Sequence, residues 1–261
     1  MATTSEEPPA TPADTTHFGF RDVPVADKAS LVRGVFERVA GNYDLMNDLM
    51  SAGIHRLWKA ELIGAVAPRA GERLLDVAGG TGDIATRFIE AGGGADAGTS
   101  AVICDINTAM LQVGRDRALD SGHLAGLTWV AGDAEKLPVA SGSVDAYTIA
   151  FGLRNVTRID DALAEARRVL KPGGRFFCLE FSRVVIPGLA RLYDLYSFNV
   201  LPMLGQVVAG DREAYQYLAE SIRRFPPQDE LVSRMEAAGL GLARYRNLSG
   251  GIAAIHSGWR I

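Results

Sequence analysis

Short apolar runs and helical stretches alternate along the middle of this chain. Runs at 73–77, 101–105, 127–131, 144–150 and 175–181 read as strands. They lack polar alternation, as expected of a parallel sheet buried on both faces. Between them, 83–91, 108–118 and 159–170 carry the apolar spacing of amphipathic helices. Strand followed by helix, repeated, predicts an α/β domain of Rossmann-like layout, with the loops after the strands gathered along one edge of the sheet.

The flanks read differently. Met1 to Thr16 is rich in Ala, Thr, Pro and Glu, and is expected to be a disordered tail over 1–16. The remainder, 17–261, is expected to be one domain. Leu31, Val32, Val35, Phe36 and Val39 have helical spacing, and Asn42-Tyr43-Asp44 interrupts it. A second helical stretch runs from His55 to Val66, so residues 17–70 read as an N-terminal helical cap. Lys171-Pro172-Gly173-Gly174 is expected to end the last of the alternating helices. The apolar stretch within 187–210 reads either as a core helix or as an inserted lid over an apolar substrate, touching a membrane surface. Asp229 to Ala238 reads as helix. Gly241–Leu248 and Gly251–Ser257 read as two closing strands joined by Ser249-Gly250-Gly251, a turn short enough for antiparallel pairing. No internal repeat is present.

Composition narrows the classes. The 261 residues are 48% hydrophobic and 22% charged, enough to bury a sizeable core. A net charge of −4 argues against nucleic acid as a partner. Cys104 and Cys178 sit inside apolar runs and read as buried thiols, which suits a reducing cytoplasm. His17, His55, His123 and His256 are scattered, so no metal site is expected.

The chemistry concentrates where strands end. Leu74-Leu75-Asp76-Val77-Ala78-Gly79-Gly80-Thr81-Gly82-Asp83 is an apolar run that closes near an acid, turns through Gly79, Gly80 and Gly82, and enters a helix. The next apolar run ends at Asp105, an acid able to accept hydrogen bonds from both hydroxyls of a ribose. Gly80-x-Gly82-x-x-Ala85 also fits a dinucleotide fingerprint, so a nicotinamide-dependent oxidoreductase is a rival reading. Asp76 and Asp83 beside the loop disfavour a pyrophosphate and favour a cationic sulfonium ligand, S-adenosylmethionine. Asp133 and Ala134, after the third run, offer a carboxylate for an adenine amine.

Several runs resemble the ubiquinone/menaquinone biosynthesis C-methyltransferases. They include Tyr43-Asp44-Leu45-Met46-Asn47-Asp48, Gly53-Ile54-His55-Arg56-Leu57-Trp58-Lys59, Phe151-Gly152-Leu153-Arg154-Asn155-Val156-Thr157 and Arg168-Val169-Leu170-Lys171-Pro172-Gly173-Gly174. The resemblance implies a class I, S-adenosylmethionine-dependent methyltransferase, its mostly parallel seven-stranded sheet carrying a C-terminal antiparallel strand. It implies methylation of a ring carbon of a polyprenylated benzoquinol, a demethylmenaquinol, or both. The family's cofactor contacts carry over to Thr81, Asp105, Asp133 and Ala134. Many relatives have Asn at the position of Asp133, and Ser at that of Ala150, so the serine contact is not carried over.

A quinol ring becomes strongly nucleophilic when a hydroxyl is deprotonated, and a phenol has a pKa of about 10. Arg154, just past the fourth strand, is expected to stabilise the phenolate, acting on its proton through water, while Asn155 bonds a ring oxygen. The competing reading of Arg154 is an ion pair with an acid such as Asp160. Tyr43 and Asp44 either line the substrate pocket or, for Asp44, cap a helix. His55 reads as a packed or capping residue in preference to a base. The expected setting is cytoplasmic, at the inner face of the membrane, as a homodimer or within a quinone-biosynthesis complex. Small-molecule O-methylation is the nearest alternative within the methyltransferase class, and a non-catalytic relative of the fold is a further one.

Overall fold

The sheet is built around β3 (Arg73–Val77), whose Leu74, Leu75 and Val77 are buried. Successive side chains of a strand point to opposite faces. Leu74 therefore joins one apolar core and Leu75 the other. The computed structural model describes residues 15–39, 48, 51, 53–123, 125–200, 203 and 212–261.

Parallel to β3 lie β4 (Ser100–Asp105) on one side and β6 (Val144–Ala150) on the other. β5 (Leu127–Ala131) extends the sheet beyond β4, and β7 (Leu170–Phe181) beyond β6. β9 (Ala253–Arg260) pairs antiparallel with both β7 and β8 (Leu240–Leu248). The order is β5-β4-β3-β6-β7-β9-β8, seven strands of which β9 alone runs against the rest.

Seen from β3, order reverses between β4 and β6, each reached by a crossover. That reversal is where open α/β sheets leave a crevice at the strand carboxyl ends. The start of β7 departs from the expectation. Its pairing moves from Val144↔Leu170 to Ala146↔Arg175, so Lys171–Gly174 bulges out within the strand. Gly173 takes φ +78 there, and the preceding helix ends at Val169.

Helices cover both faces. The N-terminal side begins with a hairpin, β1 (Thr15–Phe18) and β2 (Arg21–Pro24), which leads directly into α1 (Val25–Val39). The apolar spacing carried no sign of that hairpin. α2 (His55–Val66) and α3 (Asp83–Ala91) pack against each other over one face, Leu62, Val66, Ile84 and Phe88 entering the same core as Leu74. α4 (Thr108–Asp120) begins at Asn107, whose side chain accepts from the amides of Ala109 and Met110. α5 (Ile159–Val169) lies with the core of Leu75.

Residues 187–200 form α6 (Pro187–Leu195) and a wider π-turn, with Tyr193 and Ser197 buried. α7 (Arg212–Arg224), absent from the expected elements, is strongly amphipathic and buries Tyr215, Tyr217, Leu218 and Ile222. α8 (Gln228–Ala237) closes the second core through Leu231 and Met235. Both cysteines are buried thiols.

Candidate active site

The loop after β3 rises through Ala78 at φ 50, a conformation that an alanine adopts only under constraint. Gly79 has no room for a side chain. A Cβ there would stand 2.8 Å from both Asp76 Oδ2 and Ile103 Cγ2. Gly80, at φ +53, turns its amide into Asp105, whose Oδ2 accepts at 2.9 Å. The other oxygen of Asp105 accepts from the Asn107 amide at 2.8 Å. Each carboxylate oxygen has two acceptor sites, so capacity remains for a ligand's hydroxyls. Burial pushes the Asp105 pKa up, against the pull of these amides.

Beneath the loop lies Asp76, 1% exposed. Its Oδ1 accepts from Thr148 Oγ1 at 2.7 Å, while Oδ2 is buried with no partner. Burial raises its pKa to about 7, with the Thr148 bond opposing. Asp83 opens α3 and is held differently. Lys59 Nζ stands 2.8 Å from it and Arg87 Nε 2.7 Å. Burial alone would raise the Asp83 pKa, but the two cations outweigh it and hold it low. The expectation that Asp83 presents its charge to a ligand is therefore corrected: Lys59 and Arg87 neutralise it. Asp76 is left as the uncompensated acid beside the loop.

A cavity opens at this sheet edge. Of the residues expected to hold the cofactor, Gly80, Asp105, Asp133 and Ala134 line it. Asp133 Oδ1 accepts from the Glu135 amide at 2.9 Å, a local turn that holds the carboxylate in place. Thr81, Gly79, Gly82 and Asp76, also expected there, are not among its lining residues. Thr81 packs against Gly114 of α4, where a Cβ would come within 2.7 Å of the Thr81 Cα.

The far wall comes from α1, whose Val32, Arg33 and Phe36 face the cavity. Lys28, fully buried, ties this helix down by donating to the Val156 carbonyl at 3.0 Å. The helical spacing of Val32 and Phe36 was legible as an apolar stripe; that the stripe walls a ligand cavity was not. Asn107 was also missed. It lines the cavity with a buried Nδ2 that has no partner, a donor waiting beside Asp105.

The two residues expected to act on the acceptor part company. Asn155 lines the cavity, and its Oδ1 accepts from the Tyr217 hydroxyl at 3.0 Å. That bond turns the amide nitrogen away from Tyr217 and leaves it free to donate. Arg154 is 2% exposed, and its guanidinium meets Glu180 of β7 at 2.7 Å. It also donates to the Phe151 carbonyl, bracing the turn that carries Asn155. The competing reading of Arg154 as an ion-paired residue holds with Glu180 in place of Asp160, which pairs with Arg234 at 3.2 Å, and Arg154, expected to act on the acceptor, does not line the cavity. Tyr43 and Asp44 lie outside the described residues. His55 Nε2 stands 2.9 Å from Asp48, and its ring is buried.

The residues present suit S-adenosylmethionine. Asp76 keeps an unpaired buried oxygen near the loop, Gly80 brings backbone to the cavity surface, and Asp105, Asn107 and Asp133 line the same cavity with polar groups. Among the described residues no cluster of side chains could hold a metal ion. A seven-stranded sheet with one reversed strand, and this cavity at its switch point, define an S-adenosylmethionine-dependent methyltransferase of class I.

Solved structures agree on the fold. A possible histamine N-methyltransferase from Thermotoga maritima superposes with a TM-score of 0.60 at 19% identity, covering 87% of this chain and 99% of its own. A SAM-dependent methyltransferase from Aquifex aeolicus gives 0.57 at 14% identity, covering 78% and 89%. The chain belongs to the ubiE/COQ5 methyltransferase family, whose sequence profile matches residues 23–260. The ubiquinone/menaquinone biosynthesis C-methyltransferase UbiE of Cereibacter sphaeroides is 58% identical over 250 residues, 95% of this chain and 98% of that protein. Its counterpart in Paracoccus denitrificans is 58% identical over 246 residues, covering 94% and 97%.

Proposed function

We propose that this protein methylates a ring carbon of a polyprenylated benzoquinol of the ubiquinone route, a demethylmenaquinol, or both. One observation carries the reading: a single cavity sets the carboxylates of Asp105 and Asp133 opposite the apolar wall of Val32 and Phe36, with Asn155 at its rim. Polar groups for a nucleoside and an apolar surface for a prenylated ring thus share one chamber. The names of the UbiE relatives point to the same acceptors.

When bound, S-adenosylmethionine supplies an electrophilic methyl group and leaves as a neutral thioether. Gly80, Asp105 and Asp133 orient it, with Thr81, Gly79 and Gly82 shaping the loop and Ala134 flanking the adenine site. Asp76 offsets its positive charge. Asn155 donates to a ring oxygen of the acceptor, holding the reacting carbon in line; alignment of this kind supplies a large share of the acceleration. Arg154, paired with Glu180 behind Asn155, holds that turn in place as a positioning residue. Formation of the new C–C bond interrupts the ring's aromaticity, and departure of the ring C–H proton to solvent restores it. The reading also includes acceptor-binding roles for Tyr43 and Asp44, suggested by the sequence alone.

The test is incubation with methyl-labelled donor and two reduced acceptors, a demethylated benzoquinol and a demethylmenaquinol. Label on a ring carbon of either product by NMR supports the reading. Label on oxygen, or no transfer to either, overturns it.

A further inference from the structure

At the tip of the first hairpin, Phe20 is 50% exposed and stacks on Phe198, itself 38% exposed, with ring centroids 6.1 Å apart. Leu195 is 59% exposed one turn earlier along the same segment. Adjoining exposed apolar side chains of this kind form a contiguous patch, and such patches mark interaction surfaces. Arginines surround the pair. Arg224 lies over the Phe20 ring at 5.9 Å and Arg223 over Phe198 at 5.7 Å. Arg191 is exposed on the stripe that carries Leu195 and Phe198.

Arg224 also lines a polar cleft, together with Arg183. The other two arginines of that cleft are compensated: Arg158 by Glu135 and Asp161, Arg234 by Asp160 and Glu230. Arg183 and Arg224 meet no carboxylate among the described residues. Just beyond Arg183, Val185 and Ile186 are more than half exposed. The nearest acid to the aromatic pair, Glu220, is engaged by the Phe20 amide and by Gln216. Local positive potential is felt by His17 on the cleft wall, where burial, then Lys28 and Arg224, hold the ring neutral down to about 4.

We propose that Phe20, Leu195 and Phe198, with Arg183, Arg191 and Arg224 around them, form a docking face for an anionic phospholipid bilayer. The face is basic although the chain as a whole carries −4, so the complementarity is local and directed. Aromatic rings enter the boundary of head groups and acyl chains, and the guanidinium groups meet lipid phosphates. No helix of the described residues is long and apolar enough to cross a membrane, so the contact is superficial. The choice of lipid over an acidic protein rests on the functional reading above, in which the acceptor's prenyl tail lies in a bilayer.

The experiment is flotation of the full chain with phosphatidylcholine vesicles, with and without phosphatidylglycerol, at low and high salt. Two double variants are compared, Phe20→Ser with Phe198→Ser, and Arg183→Glu with Arg224→Glu. Wild type is expected to float with the phosphatidylglycerol vesicles and to be released by salt. The arginine pair is expected to lose at least about thirtyfold in partition, about fivefold for each cation removed, with the two added carboxylates deepening the loss. The phenylalanine pair is expected to lose binding at both salt concentrations. Circular dichroism and calorimetry with S-adenosylmethionine confirm that each variant is folded. Failure of wild type to float, equal flotation on uncharged vesicles, or variants that float like wild type would each overturn the proposal. Methyl transfer to a short-tailed quinol in vesicle-free buffer separates the two readings. Transfer without flotation defeats the docking face alone; flotation without transfer to any quinol defeats the functional reading and leaves the face standing.

Discussion

The guanidinium of Arg154 lies 2.7 Å from the carboxylate of Glu180, and neither side chain reaches solvent. Each charge is tolerated in the interior because of the other. Glu180 also accepts from the amide of Arg154, so the pair fixes the backbone of the turn as well as the side chain. Removing one partner strands the other. Glu180→Ala is expected to cost about 3–5 kcal/mol in urea unfolding, the usual cost of an orphaned buried charge. A loss below about 1 kcal/mol would show that water or another group compensates Arg154. Because of this coupling, Arg154→Ala is expected to lower both kcat and stability while leaving the donor Kd close to wild type.

Tyr217 acts on the site through Asn155, its hydroxyl donating to Oδ1 at 3.0 Å. Tyr217→Phe keeps the packing of the ring against Phe18, centroids 4.2 Å apart, and deletes that bond alone. We expect kcat to fall by about tenfold, equivalent to about 1.4 kcal/mol, with donor affinity unchanged. An equal drop in donor affinity would move the role of Tyr217 to the cofactor.

Asp76 makes stability depend on pH with an uncommon sign. Its folded pKa of about 7 stands above the ordinary value of 3.8. Between these values the folded chain holds a proton that the unfolded chain has released. The stabilising contribution is present below 3.8 and is lost as pH rises towards 7. Asp76→Asn removes this dependence. Subtracting its unfolding free energy from that of wild type should leave a difference that falls by a few kcal/mol across the interval. A difference flat with pH would show that Asp76 is ionised throughout.

The same proton should report on the donor. A cation bound beside Asp76 favours the carboxylate, so binding at pH 6 is expected to release a proton and to tighten as pH rises to 7. Calorimetry in two buffers of different ionisation heat reads the release directly. Identical heats in both buffers would contradict it.

Gly79 leaves no space for a methyl group between Asp76 and Ile103. Gly79→Ala must therefore shift the loop, and we expect donor Kd to rise at least tenfold by calorimetry. Retention of wild-type affinity would mean that the loop moves without cost to the ligand.

Much of this site was legible because its residues follow strand ends. Asp105, Asp133 and Asn155 each come just after an apolar run, and parallel strands deliver their ends to one edge. The partner of Arg154 was not legible. Asp160 is near in sequence, whereas Glu180 arrives only through the pairing of β6 with β7. Asp83 misled for a similar reason, since Lys59 reaches it from another helix. The bulge at Lys171–Gly174 carries the residues of a helix stop, and local signals do not distinguish a loop between elements from one looped out of a strand. α7 has a clear apolar stripe, yet the apolar segment before it blurred where one element ended and the next began.

The hairpin of Thr15–Pro24 runs without a break into α1. Phe20 crowns the one, and Val32 and Phe36 of the other roof the donor chamber. One continuous stretch of backbone thus joins the exposed hairpin tip to the wall of the cavity, and Lys28 anchors it near the middle. A load on the tip meets that anchor before it reaches the cavity.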